Sequence, residues 1–185
     1  LRQDHVSFNG YPRPITPFLD ALSRDARIFP TAYSQAPWTL PSVVTMFTSR
    51  YPSRHGVMWT SARLRDEEVT LAEVLREHGY ATQAFYNNPL LSPQRNLAQG
   101  FEGYEEYGVL RSSGDEGWEE RNPAPLVREW LDGRGGQDDR PFFLMVHFME
   151  PHINYIPTAR LVDLFDPGYE GPAKESFPPL GIVLV

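Results

Sequence analysis

The sequence predicts an α/β fold in which helices flank a mostly parallel sheet. Amphipathic helices alternate with short apolar segments along the chain, an order that is typical of parallel strands joined by crossover helices. The clearest helix is TLAEVLREHGY, where Thr70 and Glu73 form a capping-box pattern and Gly79 ends the helix. The apolar segment YATQAFY follows directly and is predicted to be a strand.

Two more helices are predicted on either side of this unit. The first has Thr16 as N-cap and Pro17 at its first position, and it is expected to run into an extended segment, RIFPTAYS. The second is an amphipathic helix from Asn122 to Gly133. Both fit the alternating α/β order.

The remaining segments differ in how much they reveal. The run PFFLMVHFME is predicted to be a strand covered on both faces. Residues 100–121 are expected to form a long surface loop that includes the solvated acidic segment GDEGWEE. Residues from Pro157 onward have no assignable core, although the final LGIVLV resembles a strand.

Composition and charge limit the classes of function. With 185 residues, of which 41% are hydrophobic, the chain can bury a core as one domain. Its net charge of −7 and scattered basic residues argue against a nucleic-acid surface. The absence of cysteine excludes disulfides and thiolate metal sites. No apolar run approaches the roughly 20 residues that span a membrane, so no membrane segment is expected.

Residues 33–56, YSQAPWTLPSVVTMFTSRYPSRHG, place a threonine at the start of an apolar helix. Pro41 fits the first turn, so Thr39 lies at or just before the helix N-terminus. That end favours an anion, and a hydroxyl held there can attack phosphorus or sulfur if its pKa is lowered, usually by a metal ion. Alternatively, Thr39 is an N-cap that accepts a hydrogen bond from the Ser42 N–H. The residues alone leave both roles open.

The same stretch resembles the signature region of the sulfatase family, within the alkaline phosphatase superfamily. There, Cys or Ser, any residue, Pro, Ser and Arg precede an apolar helix and a Thr-Gly-x-Tyr-Pro-x-Arg-x-Gly segment. Here the pattern runs from Thr39 to Val43 and again from Thr48 to Gly56. The flanking segments LAQGFEGYEEY and FFLMVHFMEPHINYIP also match family landmarks, in order, as far as about residue 157. The resemblance implies an alkaline-phosphatase-like fold and a partial sulfatase catalytic domain over residues 1–185.

Three departures from the family pattern bear on the reaction. Family enzymes convert the Cys or Ser to formylglycine, which is not expected at Thr39. Val43 replaces the motif arginine, and Asn87 and Asn88 stand near the position of a Gly-Lys-Trp-His block that contacts the sulfate. Some phosphodiesterases, nucleotide pyrophosphatases and phosphoethanolamine transferases of the superfamily use an unmodified threonine instead.

The resemblance therefore implies a hydrolase of small-molecule or glycan sulfate esters with Thr39 at the nucleophile position. Asn87 and Asn88 would be the substrate-binding residues. One alternative is a phosphodiesterase or phosphoethanolamine-type transferase. Another is a non-catalytic domain that binds sulfated or phosphorylated glycans. Family habit points to a periplasmic or secreted location.

The resemblance also implies a divalent metal, usually calcium, whose ligands are expected outside this chain. The family uses an Asp pair at the end of its first strand and an Asp with His or Asn far downstream. LRQDHVSFNGY resembles the segment directly after the first pair, and the later ligands would lie beyond Val185. Within the chain only Thr39 is a candidate metal contact. The chain is accordingly expected to be an interior piece of a catalytic domain, inactive alone.

The segment HFMEPH places two histidines near the end of a predicted strand. Pro151 interrupts any zinc-helix spacing. His147 lies within the apolar run and is predicted to be a hydrogen-bonded core histidine. His152 follows the strand end, where parallel-sheet sites are built. In the family, the histidine of this Pro-His step binds the anion or protonates the leaving group, so both a catalytic and a structural role are open for His152.

Overall fold

A computed structural model describes residues 2–108, 122–136, 138–149, 152 and 159–168. Contacts divide the chain into two compact units, Leu1–Ser34 and Gln35–Val185. The first unit holds helix α1, Pro17–Leu22, and two short 3-10 helices. Thr16 occupies the N-cap position of α1, but its side chain makes no capping hydrogen bond to the helix backbone. Its Oγ1 instead accepts a hydrogen bond from the Ser7 N–H at 2.9 Å.

The described strands of the second unit form one parallel sheet with the order β2-β1-β3. The strands are β1 (Ala81–Tyr86), β2 (Gly103–Glu106) and β3 (Phe142–Val146). The described α-helices of this unit are α2 (Thr39–Thr48), α3 (Pro52–His55), α4 (Leu71–Glu77), α5 (Ala124–Arg134) and α6 (Ala159–Phe165). The predicted parallel sheet flanked by helices is therefore confirmed.

Helix α4 and strand β1 follow their sequence signals closely. The Thr70 Oγ1 accepts from the Glu73 N–H at 3.2 Å, and the Glu73 carboxylate accepts from the Thr70 N–H at 2.8 Å. Gly79 takes a left-handed conformation with φ of 82° just after the helix. Every residue of β1 is buried, as a central strand requires.

Two segments differ from their predicted structure. RIFPTAYS forms no strand, because its side chains are exposed (Phe29 is 72% exposed) and no strand among the described residues pairs with it. Strand β2 lies within the predicted loop 100–121. It was missed because its side chains are mostly polar, as suits an edge strand. Residues 109–121, with the acidic segment, lie outside the described residues.

The C-terminal part also differs. Strand β3 was expected to be covered on both faces, but Phe142 is exposed and the rest of the strand is only half-buried. Helix α6 lies where no element was assigned, and LGIVLV lies outside the described residues.

One core joins α2 to the sheet in the second unit. Buried residues from α2 and β1 belong to a single hydrophobic cluster, which includes Leu40, Val44, Phe47, Ala84 and Tyr86. Full burial of a Val, Leu or Phe side chain stabilises the fold by about 1.5–3 kcal/mol. The core therefore holds α2 on the sheet.

Candidate functional site

Thr39 is the first residue of α2 and does not cap it. Trp38 occupies the N-cap position, and the Ser42 N–H donates to the Trp38 carbonyl oxygen at 3.4 Å. The alternative interpretation, in which Thr39 accepts from the Ser42 N–H as an N-cap, is therefore wrong. The Thr39 side chain is half-buried. Its hydroxyl has no structural hydrogen bond to break before it acts on a ligand, as far as the described residues show.

The first turn of α2 presents backbone donors without an acidic side chain beside them. Pro41 has no N–H, and no Asp or Glu lies in this turn. The first N–H groups of a helix lack intrahelical acceptors, and they carry the positive end of its dipole. The N-terminus of α2 is therefore electrostatically suited to an anion next to Thr39.

Val43, at the position of the family's motif arginine, faces the core. Its side chain is only 7% exposed and belongs to the hydrophobic cluster. An arginine in this packing would leave a buried charge without a partner. The surroundings of residue 43 are thus built for an apolar side chain.

His55 holds α2 against α3 from the buried side. Its Nδ1 accepts a hydrogen bond from the Val57 N–H at 3.1 Å, so the ring proton lies on Nε2. Nε2 lies 3.1 Å from the Thr45 Oγ1, to which it donates. Burial lowers the pKa of His55, which favours this neutral form. His55 thus fixes the helix that carries Thr39.

The other candidate residues lie where strands β1 and β3 end. Asn87 and Asn88 directly follow β1, and His147 directly follows β3. The chain leaves β1 toward β2 on one side, whereas β3 pairs on the other side. A crevice opens at such a switch point, at the carboxyl ends of the strands, and ligands of α/β sheets bind there.

The two asparagines differ in their hydrogen bonds. The Asn88 Oδ1 accepts from the Leu90 N–H at 2.9 Å and so caps the short 3-10 helix Pro89–Leu91. That short helix lies against α2, which links this edge of the sheet to the helix of Thr39. Asn87 is 2% exposed, and its Oδ1 lies 3.4 Å from the His147 Nδ1. The Asn87 Nδ2 has no partner among the described residues.

His152 lies near enough to His147 to influence the charge of the His147 imidazole. Burial lowers the pKa of His147, and repulsion from His152 lowers it further. His147 is hydrogen-bonded, as predicted, but it is half-buried at the sheet edge and not in the core. His152 is exposed, and its backbone N–H donates to the Met149 carbonyl at 2.7 Å.

The structure thus gathers Asn87, His147 and His152 at one edge. The pairing of His147 with Asn87 was not predicted from sequence. The available signal was that Asn87 directly follows one predicted strand and that His147 lies near the end of another.

The described residues contain no group of three or more His, Asp or Glu side chains placed to hold a metal ion. In the part of the chain that the structure describes, no helix has both the length and the apolar character needed to cross a membrane. An open cleft of about 520 Å³ lies at the amino ends of β1 and β2, next to α5. Asn87 and His147 lie at the other, carboxyl ends of the strands, so the cleft does not contribute to this site.

Comparisons with known proteins bear on both the fold and the family. A family model described as Sulfatase matches residues 1–180. The ulvan-active sulfatase of Formosa agariphila is 27% identical over 184 residues, which cover 88% of this chain and 36% of that relative. The chain therefore spans little more than a third of this curated relative.

Two solved structures share the fold. A protein in complex with its substrate D-glucosamine-2-N,6-O-disulfate has a TM-score of 0.70 at 20% identity, and the match covers 92% of this chain and 37% of that one. The phosphonate monoester hydrolase of Agrobacterium radiobacter has a TM-score of 0.66 at 21% identity, with 85% and 40% covered. The fold is thus alkaline-phosphatase-like and partial. Because the family model matches nearly the whole chain, this protein belongs to the sulfatase family.

Proposed function

We propose that this chain is part of the catalytic domain of a hydrolase that cleaves sulfate esters of glycans or small molecules. The observation that carries the proposal is the state of Thr39, which begins α2 with backbone donors beside it and a hydroxyl that makes no structural hydrogen bond within the described residues. Asn87 supports it with a buried amide N–H₂ that has no partner in the same part of the chain. Names of relatives and neighbours point the same way, because they include an ulvan-active sulfatase and a disulfated glucosamine complex.

The proposed reaction has two steps. In the first, the Thr39 Oγ1 forms a bond to sulfur as the bond from sulfur to the alcohol oxygen breaks. The Thr39 hydroxyl proton passes to solvent, while His152, protonated beforehand, gives its proton to the leaving alcohol oxygen and regains one from solvent. In the second step a water oxygen forms a bond to sulfur and the bond from sulfur to Oγ1 breaks. Sulfate leaves, and Oγ1 takes up a proton that the water loses. Asn87 and Asn88 would contact the non-bridging oxygens, Asn88 through its amino group because its Oδ1 caps a helix.

A phosphodiesterase or phosphoethanolamine-type transferase is the second candidate. Thr39 is an unmodified hydroxyl, and the chain has no cysteine for conversion to formylglycine. The buried, apolar setting of Val43 also disfavours an arginine at the position where the family pattern has one. The same attack on phosphorus would give a phospho-threonine, which water or an acceptor alcohol would then cleave.

A non-catalytic anion- or glycan-binding domain is the third candidate, and the same donors could bind an anion without turnover. The native protein should therefore be assayed with p-nitrophenyl sulfate and with bis-p-nitrophenyl phosphate, alongside the Thr39→Ala variant. Sulfate-ester turnover that is lost in Thr39→Ala supports the first proposal, and phosphodiester turnover lost in that variant supports the second. Anion binding without turnover of either ester supports the third. Turnover that survives in Thr39→Ala contradicts Thr39 as nucleophile.

The proposed reaction also requires a divalent metal ion. The described residues do not fit a divalent cation by themselves, since no carboxylate or histidine cluster is present among them. We propose that a divalent cation, calcium by family habit, is held by ligands outside this chain, with Thr39 as the contact that the described residues supply. Loss of turnover after chelation, with recovery on adding Ca²⁺, would support this. Turnover that is insensitive to chelation would contradict it.

A further inference from the structure

The contact between the buried Asn87 and the half-buried His147 carries an inference about how the anion is recognised, which rests on the proposed function. Asn87 is almost wholly enclosed, yet only its carbonyl oxygen has a partner among the described residues. Leaving a buried amide donor unsatisfied costs about 1–3 kcal/mol. A buried donor without a partner, at the carboxyl ends of two strands, therefore points to a ligand that completes it.

The His147 backbone is held from both sides. Its N–H donates to the Phe85 carbonyl of β1 at 2.9 Å, and its own carbonyl accepts from the Tyr107 hydroxyl. Tyr107 is held in turn by its N–H, which donates to the Tyr86 carbonyl at 2.8 Å. The imidazole therefore projects from a fixed point beside the end of β1.

The hydrogen bond between the two side chains fixes which way the Asn87 amide faces. The Asn87 Oδ1 can only accept, so the His147 Nδ1 carries the proton in this contact. Rotation of the amide by half a turn would place its N–H₂ group against that N–H and break the bond. The contact thus keeps Oδ1 on the histidine and leaves the buried Nδ2 without a partner among the described residues.

We propose that His147 is a positioning residue that orients Asn87 so that its Nδ2 donates to a non-bridging oxygen of a sulfate or phosphate ester. The neutral amide of Asn87 would then bind part of the anion, a role that the Lys and His of the Gly-Lys-Trp-His block have in the family pattern. His147 acts through Asn87 and need not touch the substrate.

A matched pair of variants separates this role from packing. In His147→Asn the amide nitrogen lies close to the original Nδ1 position and can still donate to Asn87, whereas His147→Leu has a similar size and no donor. For inorganic sulfate and inorganic phosphate, measured by calorimetry on the native protein, His147→Leu should raise Kd about tenfold, the value of one hydrogen bond. His147→Asn should stay within about threefold of the wild type. Equal Kd values in the two variants overturn the proposal, as does failure of both anions to bind the wild type.

The tautomer of His147 gives a readout that does not depend on turnover. In native protein with ¹⁵N-labelled histidine, the proposal expects the His147 proton on Nδ1, with the signal assigned by its loss in His147→Asn. A proton on Nε2 would mean that the amide is reversed and donates to the ring, which overturns the proposal. If Thr39→Ala keeps full turnover while these results hold, the nucleophile assignment fails and the positioning role stands.

Discussion

The sheet has different polar side chains at the amino ends and at the carboxyl ends of its strands. At the amino ends of the strands, Arg140 donates to Asp138 and Glu102, each at 2.9 Å, and Arg134 also pairs with Asp138. At the carboxyl ends, Asn87 is buried with its amide nitrogen unpartnered among the described residues. The cleft lies at the amino ends of the strands, but the buried amide without a partner lies at the carboxyl ends.

Because of this difference, we place the candidate site by its unsatisfied buried polar group and not by the cleft. Charged side chains that form ion pairs with each other are neutralised within the fold and require no ligand. A buried donor without an acceptor lowers the stability of the folded chain, and a ligand that supplies the acceptor removes this loss. We therefore expect substitutions to affect function at Thr39 and at the carboxyl ends of the strands, and only stability at the amino ends.

The largest effect is expected at Thr39. Thr39→Ala should lower kcat for the ester that the native protein cleaves by about 10³-fold or more, the scale of losing a nucleophile. Its thermal midpoint should match the wild type, since the hydroxyl caps no helix among the described residues. Thr39→Ser, assayed in parallel, should retain measurable turnover. A large drop in the midpoint of Thr39→Ala would show that the hydroxyl has a structural role after all.

Asn87→Leu should come next. Replacing the amide by a side chain of similar size removes the open donor, so kcat/KM should fall about 10²-fold, as for loss of one oxyanion donor. The free energy of unfolding should stay within about 1 kcal/mol of the wild type, because an unsatisfied buried amide is replaced by an apolar group. Urea unfolding and steady-state kinetics measure the two quantities. A marked loss of stability with unchanged kcat/KM would reverse the assignment of this edge.

The buried face of α2 should respond to pH in its stability. His55 has its pKa lowered by burial from an ordinary value of 6.5, so the unfolded chain binds the proton more readily. The stability that His55 contributes is therefore complete above about pH 6.5 and is lost as the pH falls from there toward the folded pKa. Urea unfolding at about pH 7.5 and about pH 5.5 should show lower stability in acid. The decrease should be smaller in His55→Gln, although His147, with its pKa shifted in the same direction, contributes the remainder.

The smallest effect is expected at the charged edge. Arg140 is exposed, so its ion pairs are screened by water. Arg140→Ala should leave kcat/KM unchanged and keep the thermal midpoint within about 2 °C of the wild type. A change of tenfold or more in kcat/KM would mean that the cleft at this edge takes part in function.

Local signals in the sequence predicted helices α1, α2, α4 and α5 and strand β1, whereas the pairing between distant segments had to come from the structure. The capping box of Thr70 and Glu73 and the apolar run of β1 are local, and the structure has both. Strand β2 was not predicted, because its exposed glutamates resemble a loop and only pairing with β1 makes it a strand.

The candidate site follows the same rule. The position of Thr39 near a helix N-terminus could be predicted from Pro41 and the apolar run after it. Its exact place, one residue inside the helix, depends on the backbone of Trp38. The contact between Asn87 and His147 spans 60 residues and depends on β1 and β3 being neighbours, which no local pattern specifies.

The most direct test is to identify the group that is covalently modified during turnover. The native protein would be quenched in acid while it cleaves p-nitrophenyl sulfate or bis-p-nitrophenyl phosphate, and its peptides analysed by mass spectrometry. The account predicts a sulfuryl or phosphoryl group on Thr39, absent from Thr39→Ala. Turnover with a modified residue other than Thr39, or undiminished turnover in Thr39→Ala, would contradict it.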